Sequence, residues 1–267
     1  MEINLFFYSF IFILGLMAGS FLNCVIYRLE KNQGFVAGRS YCPHCRHQLH
    51  WKDLIPVLSF FILRGKCRYC HQKISWQYPL VELITGFLFL LAATYNLQFT
   101  IFGLVKTCYL FVIIGFLVII FVYDLKHYVI PDKVIYPAII VSGMWYFVSG
   151  IFFKFYARYE IPNIIYSALG AAAFFFLIVL VSRGKWMGIG DIKLAFFMGI
   201  FLGFPGILIA LFLAFLLGGI MGLGLVILRK KTFKSEVPFG PFLTAATLIS
   251  LFWGEKIVSF YLNLMKI

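Results

Sequence analysis

Seven uncharged, strongly apolar runs divide the chain, at residues 3–27, 83–105, 107–123, 134–153, 161–182, 194–228 and 237–254. A helix crossing a bilayer needs about 20 such residues, so six of the runs each predict one membrane-spanning helix. The run 194–228 is too long for a single span. Gly203-Phe204-Pro205-Gly206 interrupts it, since glycine accepts turn conformations and proline cannot continue a helix. That break predicts two helices, the first short, from about Ile192 to Leu202 and beginning at Asp191. The pattern describes an all-α polytopic membrane protein with about eight transmembrane helices. Residues 28–79 form the long polar interruption, and within them 54–61 is too apolar for a solvated loop. That stretch, with Trp51, is expected to dock on the membrane domain or the bilayer surface.

Composition sharpens the class. Of 267 residues, 63% are hydrophobic and 12% charged, against about 25% charged in soluble domains. Positive charge follows the first run, and no basic segment precedes it. This excludes a cleavable signal peptide and places the N-terminus outside. Eight alternating spans then make 28–79, 124–133, 183–193 and 229–240 cytosolic. Only Lys106, Lys154, Arg158, Lys256 and Lys266 of the 23 basic residues fall elsewhere. Topology therefore accounts for the net charge of +13, and no nucleic-acid partner is implied. The expected organisation is a first transmembrane helix (1–27), a cytosolic domain (28–79) and a seven-helix membrane domain (80–267).

Cys42-Pro43-His44-Cys45 and Cys67-Arg68-Tyr69-Cys70 make two C-x2-C knuckles separated by 21 residues. Four thiolates in two close pairs suit tetrahedral Zn²⁺. Disulfides are the competing reading, disfavoured in a reducing cytosol. A redox C-x2-C fits less well, because there are two such pairs and no βαβ pattern. His44, His47, His50 and His71 share the loop, where four cysteines already complete a site. Cys24 and Cys108 lie in apolar runs and read as small buried hydrophobes.

The chain has four aspartates. Asp53, beside Lys52, reads as a surface charge, and Asp132, after Pro131, as a helix cap. Asp124 and Asp191 each end or begin a long apolar segment, where a carboxylate is costly and usually functional. Gly188 and Gly190 clear side chains beside Asp191, so that another backbone can approach. Asp124 follows a helix C-terminal end, where the dipole disfavours an anion, so a structural role explains it poorly. Two spans lie between them, returning both to one face. Glu82 is interfacial or pairs with a base such as Lys193. Two carboxylates sharing one proton suit aspartyl protease chemistry. The sequence contains neither an H-E-x-x-H motif nor a nucleophilic Ser/His arrangement.

These residues occur in an order that resembles the type IV prepilin peptidases, bifunctional leader peptidase/N-methyltransferases of bacterial pilus and secretion systems. The likeness runs through Gly19-Ser20-Phe21-Leu22-Asn23 with Tyr27-Arg28, the paired knuckles, and Tyr78-Pro79-Leu80-Val81-Glu82. It continues through Asp124 with Ile130-Pro131-Asp132, Gly188-Ile189-Gly190-Asp191-Ile192-Lys193, and Val237-Pro238-Phe239-Gly240-Pro241-Phe242. Glu30 departs from it, standing where a proline is common. The resemblance implies an eight-span fold in the bacterial inner membrane with its active site at the cytosolic face. It implies Asp124 and Asp191 as the catalytic pair, with Gly188, Gly190, Asp132, Lys193 and Glu82 in support. It implies prepilin and pseudopilin substrates, cut after a glycine, with the new N-terminal residue methylated from S-adenosylmethionine. Cys42, Cys45, Cys67 and Cys70 would hold a structural Zn²⁺. Gly19, Asn23 and Arg28 are candidates for the methyl-donor neighbourhood by resemblance alone. A peptidase without methylation, an ion-coupled transporter and a non-enzymatic zinc-bearing scaffold are the rival readings.

Overall fold

The computed structural model describes residues 2–34, 38–96, 100–153, 160–228 and 237–264, and divides into two compact units, Met1–Ile119 and Ile120–Ile267. The basic cluster Arg229, Lys230, Lys231 and Lys234, together with Lys154, Arg158, Glu236 and Lys266, lies outside the described residues.

The first unit holds α1 (Glu2–Glu30), a 3-10 turn (Trp51–Asp53), α2 (Leu58–Ile62), α3 (Gln77–Asn96) and most of α4 (Ile101–His127). Glycines let α1 and α3 touch backbone to backbone. A Cβ on Gly15 would lie 2.7 Å from the Gly86 Cα, and one on Gly19 would lie 2.6 Å from the Glu82 Cα. Small residues four apart are how membrane helices approach closely enough to gain dispersion contacts. Asn23 locks the pair at one end. Its amide nitrogen donates to the Tyr78 carbonyl at 3.1 Å, and its oxygen accepts from Gln77 Nε2 at 3.3 Å.

The boundary between the second and third spans differs from expectation. The charge at Lys106 suggested a break there, but α3 ends at Asn96 and α4 starts at Ile101. The start is set by Thr100, whose hydroxyl oxygen accepts from the Gly103 N–H at 3.1 Å, as an N-cap side chain does. Lys106 falls inside the second turn of α4, where one long side chain is tolerated near a helix end.

The second unit contains the end of α4, then α5 (Asp132–Phe153), α6 (Glu160–Ser182), α7 (Ile189–Leu202), α8 (Gly206–Ile227) and α9 (Gly240–Leu264). At 14 residues and 1.5 Å rise, α7 is about 21 Å long, shorter than the hydrocarbon core. It packs against α5, α6, α8 and α9, and Leu194, Ala195, Phe197 and Met198 are fully buried. Gly199 meets the Ala168 backbone on α6. The Gly203–Gly206 turn falls where the sequence places it, with Gly203 at φ +61°. Asn163 of α6 clamps that turn, accepting from the Phe204 N–H at 2.9 Å and donating to its carbonyl at 3.1 Å.

Six of these helices are long and apolar enough to cross a membrane: Phe6–Glu30, Gln77–Tyr95, Ile101–His127, Ile161–Ser182, Gly206–Ile227 and Gly240–Leu264. Their outer faces expose Phe6, Phe87, Val181, Phe212 and Ile227, a surface suited to lipid and not to water. The protein is an all-helical polytopic membrane protein.

Candidate active site and metal centre

Asp124 and Asp191 are both buried, 4% and 8% exposed, and both lie in the second unit. Asp124 stands in the last turn of α4, where the macrodipole of its own helix is unfavourable. The compensation comes from α9. Its first residue, Gly240, donates its backbone N–H to the Asp124 carboxylate, and helix N-termini carry free N–H groups and partial positive charge. Asp191 sits in the first turn of α7, and its Oδ2 accepts from the Gly188 N–H at 3.2 Å. Each carboxylate is thus held by one glycine N–H at a helix N-terminus. They are close enough that the Asp124 charge acts on Asp191.

The glycines around the pair have different reasons. A Cβ on Gly240 would fall 2.5 Å from Asp124 Oδ2 and 3.0 Å from Cγ, so only glycine lets the carboxylate reach that N–H. A Cβ on Gly190 would lie 3.1 Å from Ile130 Cβ, so Gly190 makes room for packing. A Cβ on Gly188 would meet nothing nearer than 3.9 Å, so the space beside this residue is open. Gly240→Ala is expected to displace the Asp124 carboxylate by roughly an ångström and to lower any activity that depends on it by about 10²-fold, while helical content persists. Steady-state rates on the purified variant check this.

Asp132 and Lys193 meet each other. Lys193 Nζ donates to Asp132 Oδ1 at 2.6 Å and lies 5.0 Å from the Tyr136 ring centroid. Asp132 begins α5, but its carboxylate is engaged with Lys193, which departs from the capping role expected of it. With side chains 59% and 25% exposed, this pair contributes at most about 1 kcal/mol. Its consequence is positional, since it ties the start of α7 to the start of α5. Glu82, buried in α3, accepts from the Val57 N–H at 2.7 Å.

The methyl-donor candidates each have a structural contact. Gly19 is closed over by the Glu82 backbone, and Asn23 holds Tyr78 and Gln77. Arg28, buried, donates to the carbonyls of Gly38 at 2.7 Å and Gly34 at 3.3 Å. Their polar groups organise the first unit.

Cys42, Cys45, Cys67 and Cys70 converge, with all four sulfurs within 4.8 Å of one another. The two knuckles are built alike. The Cys42 N–H donates to the His47 carbonyl and the Arg46 N–H to the Cys42 carbonyl, both at 2.9 Å. The Cys67 N–H donates to Gln72 at 2.8 Å and the His71 N–H to Cys67 at 3.0 Å. Arg46 and His71 occupy matching positive φ, 57° and 56°. Single β-bridges, Tyr41 to Gln48 and Lys66 to Lys73, close each turn. Cys42 and Cys70 Sγ are 3.8 Å apart, and a tetrahedron with metal–sulfur bonds of about 2.3 Å requires about 3.8 Å. Burial works against ionisation of Cys67, but N–H groups of Cys70 and Tyr69 and the neighbouring thiols outweigh it and lower its pKa to about 7. The donor set fits a tetrahedral cation.

Asp53 is not the surface charge its sequence position suggested. Its side chain is only 3% exposed and accepts from Arg68 Nε at 2.7 Å, Tyr69 Oη at 3.3 Å and the His50 N–H at 3.3 Å. Burial opposes its charge, yet Arg68 and these donors hold its carboxyl below the ordinary value. Its stabilisation is thus present above the usual carboxylate range and lost as pH falls through its lowered pKa. Asp53 and the stacking of His47 on Tyr69, with centroids 3.7 Å apart, fasten one knuckle to the other.

Sequence comparison agrees with this arrangement. Residues 13–96, which include all four clustered cysteines, match the Bacterial Peptidase A24 N-terminal domain. Residues 111–223, which include Asp124 and Asp191, match the Type IV leader peptidase family. A prepilin leader peptidase/N-methyltransferase of Aeromonas hydrophila is 32% identical, covering 96% of this chain and 94% of the relative. A protein of that name from Bacillus subtilis (strain 168) is 31% identical over 96% and 98% of the two chains. One from Pseudomonas aeruginosa is 29% identical over 94% and 92%. No solved structure matches the chain. With relatives above 30% identity along nearly its whole length, the chain belongs to the type IV leader peptidase family.

Proposed function

We propose that this protein removes the basic leader from type IV prepilins and pseudopilins after glycine, and methylates the new N-terminal residue. The observation that supports the reading is a pair of buried carboxylates in one compact unit, Asp124 and Asp191, each held by a single glycine N–H at a helix N-terminus. The relatives' names supply the substrate class and the second activity.

In the mechanism, the carboxylate pair shares one proton. The ionised member takes a proton from water as the water oxygen attacks the scissile carbonyl carbon. The protonated member hydrogen-bonds the carbonyl oxygen and neutralises it. The gem-diol then collapses, the C–N bond breaks, and the departing amine takes a proton from the pair. Gly188 and Gly240 orient the two carboxylates, and the open space beside Gly188 receives the extended substrate backbone. Gly190, Asp132 and Lys193 set the position of Asp191, and Glu82 supports the first unit.

Eight helices, α1 and α3–α9, span the inner membrane with the N-terminus outside. The active site lies at the cytosolic face, where a polar leader stays in water while its apolar helix remains in lipid. Helix 1–27, the cytosolic domain 28–79 and the membrane domain 80–267 divide the labour. Cys42, Cys45, Cys67 and Cys70 would hold Zn²⁺ as a staple between the knuckles. S-adenosylmethionine would supply the methyl group, with Gly19, Asn23 and Arg28 as the candidate neighbourhood.

Mass spectrometry of a leader-bearing prepilin incubated with the nanodisc-embedded enzyme and S-adenosylmethionine tests both activities. Loss of the leader plus the mass of one methyl group is expected. Leader loss alone leaves a peptidase, and an unchanged substrate overturns the reading.

A further inference from the structure

We infer that Trp51, Leu58, Phe61, Ile62 and Trp76 form a bilayer anchor that seats the four-cysteine unit on an anionic membrane surface. All five are exposed, Trp51 at 70%, Ile62 at 71% and Trp76 at 62%. A small polar domain would not keep such residues in water without use for them. Leu58, Phe61 and Ile62 stand at i, i+3 and i+4 of α2 and so share one face. Trp76 joins them, its ring 6.4 Å from Phe61 and 4.8 Å from the buried Phe60. The 3-10 turn carrying Trp51 packs beside α2.

The depth of this face follows from two connections. Trp76 immediately precedes α3, a membrane span. The Val57 N–H at the start of α2 donates to Glu82 at 2.7 Å, and Glu82 is the sixth residue of α3, about 7.5 Å along it. The start of α2 is therefore level with the second turn of a helix already entering lipid, at the height of exposed Leu80 and Ile84 of α3. Tryptophan at that level is the usual mark of a membrane–water interface. Cations border the face: Lys52 lies 5.6 Å from the Trp51 ring centroid, and exposed Arg64 and Lys66 follow α2 directly. Basic side chains beside an apolar wedge complement anionic headgroups. Glu82 thus acquires a purpose, holding α2 at that depth.

The test uses the full chain with Trp145→Phe, Trp186→Phe and Trp253→Phe, in nanodiscs whose phospholipid acyl chains are brominated or not. Emission from Trp51 and Trp76 is expected to fall by about twofold or more in brominated lipid. Phe61→Ser with Ile62→Ser should abolish that difference while stoichiometric metal remains, which shows that the knuckles are intact. Raising phosphatidylglycerol to roughly 30% should strengthen quenching, and about 1 M salt should reverse the gain. Should the triple variant fold poorly, the parent chain against Trp51→Phe and Trp76→Phe gives the same difference. Equal emission in the two lipids overturns the anchor, whether the tryptophans are then open to water or packed on protein. Quenching indifferent to phosphatidylglycerol and salt overturns the anionic preference.

Discussion

Asp124→Asn and Asp191→Asn should each abolish leader cleavage, lowering the rate by about 10³-fold or more, the upper range for losing a general acid–base group. Asparagine has the shape of aspartate, and its amide oxygen can still accept from the Gly240 or Gly188 N–H. Both variants should therefore insert and fold, because the substitution removes only the ability to exchange a proton. Each single change leaves one carboxylate with no partner to share that proton, so the loss at either position should be equally complete. A transporter relay or a capping role for these residues predicts cleavage independent of both.

The second large effect is at the metal centre. Cys42→Ser and Cys67→Ser, one from each knuckle, should remove stoichiometric Zn²⁺, measured by elemental analysis of the purified chain. Structural zinc sites contribute roughly 10–16 kcal/mol to folding in small domains at neutral pH. Among the described residues, the β-structure between α1 and α3 amounts to two isolated bridges. Asp53 with Arg68 and the His47–Tyr69 stack reinforce the knuckles but cannot replace the ion. Loss of zinc should expose the region to protease while α4–α9 persist. Unchanged zinc content in either variant would mean that the four sulfurs do not bind it.

Much of this architecture is legible in the chain because apolar periodicity and interruption are local properties. The Gly203–Gly206 turn could be read from four letters, and the cysteine cluster from spacing alone. The misreadings share a cause. Asp53 looks exposed in sequence because its partners, Arg68 and Tyr69, lie 15 and 16 residues on, in the second knuckle. Lys193 could be matched with Glu82 on charge, whereas the fold gives it Asp132 and gives Glu82 a backbone N–H from Val57. Lys106 looked like a helix break because charge is a weaker stop signal than the cap that Thr100 supplies. Gly240 stands in a motif whose letters give it no role. Its function depends on an atom of Asp124 across the fold, and the only local hint was a glycine preceding Pro241 at the start of a helix.

The central claim is that Asp124 and Asp191 act as one device. Single-turnover cleavage of a leader-bearing prepilin by Asp124→Asn, Asp191→Asn and the double variant, each in nanodiscs, tests it most directly. Residues acting as a unit are not additive, so the three rates should fall to one floor. A single variant cleaving within about tenfold of the parent would contradict the paired-carboxylate account.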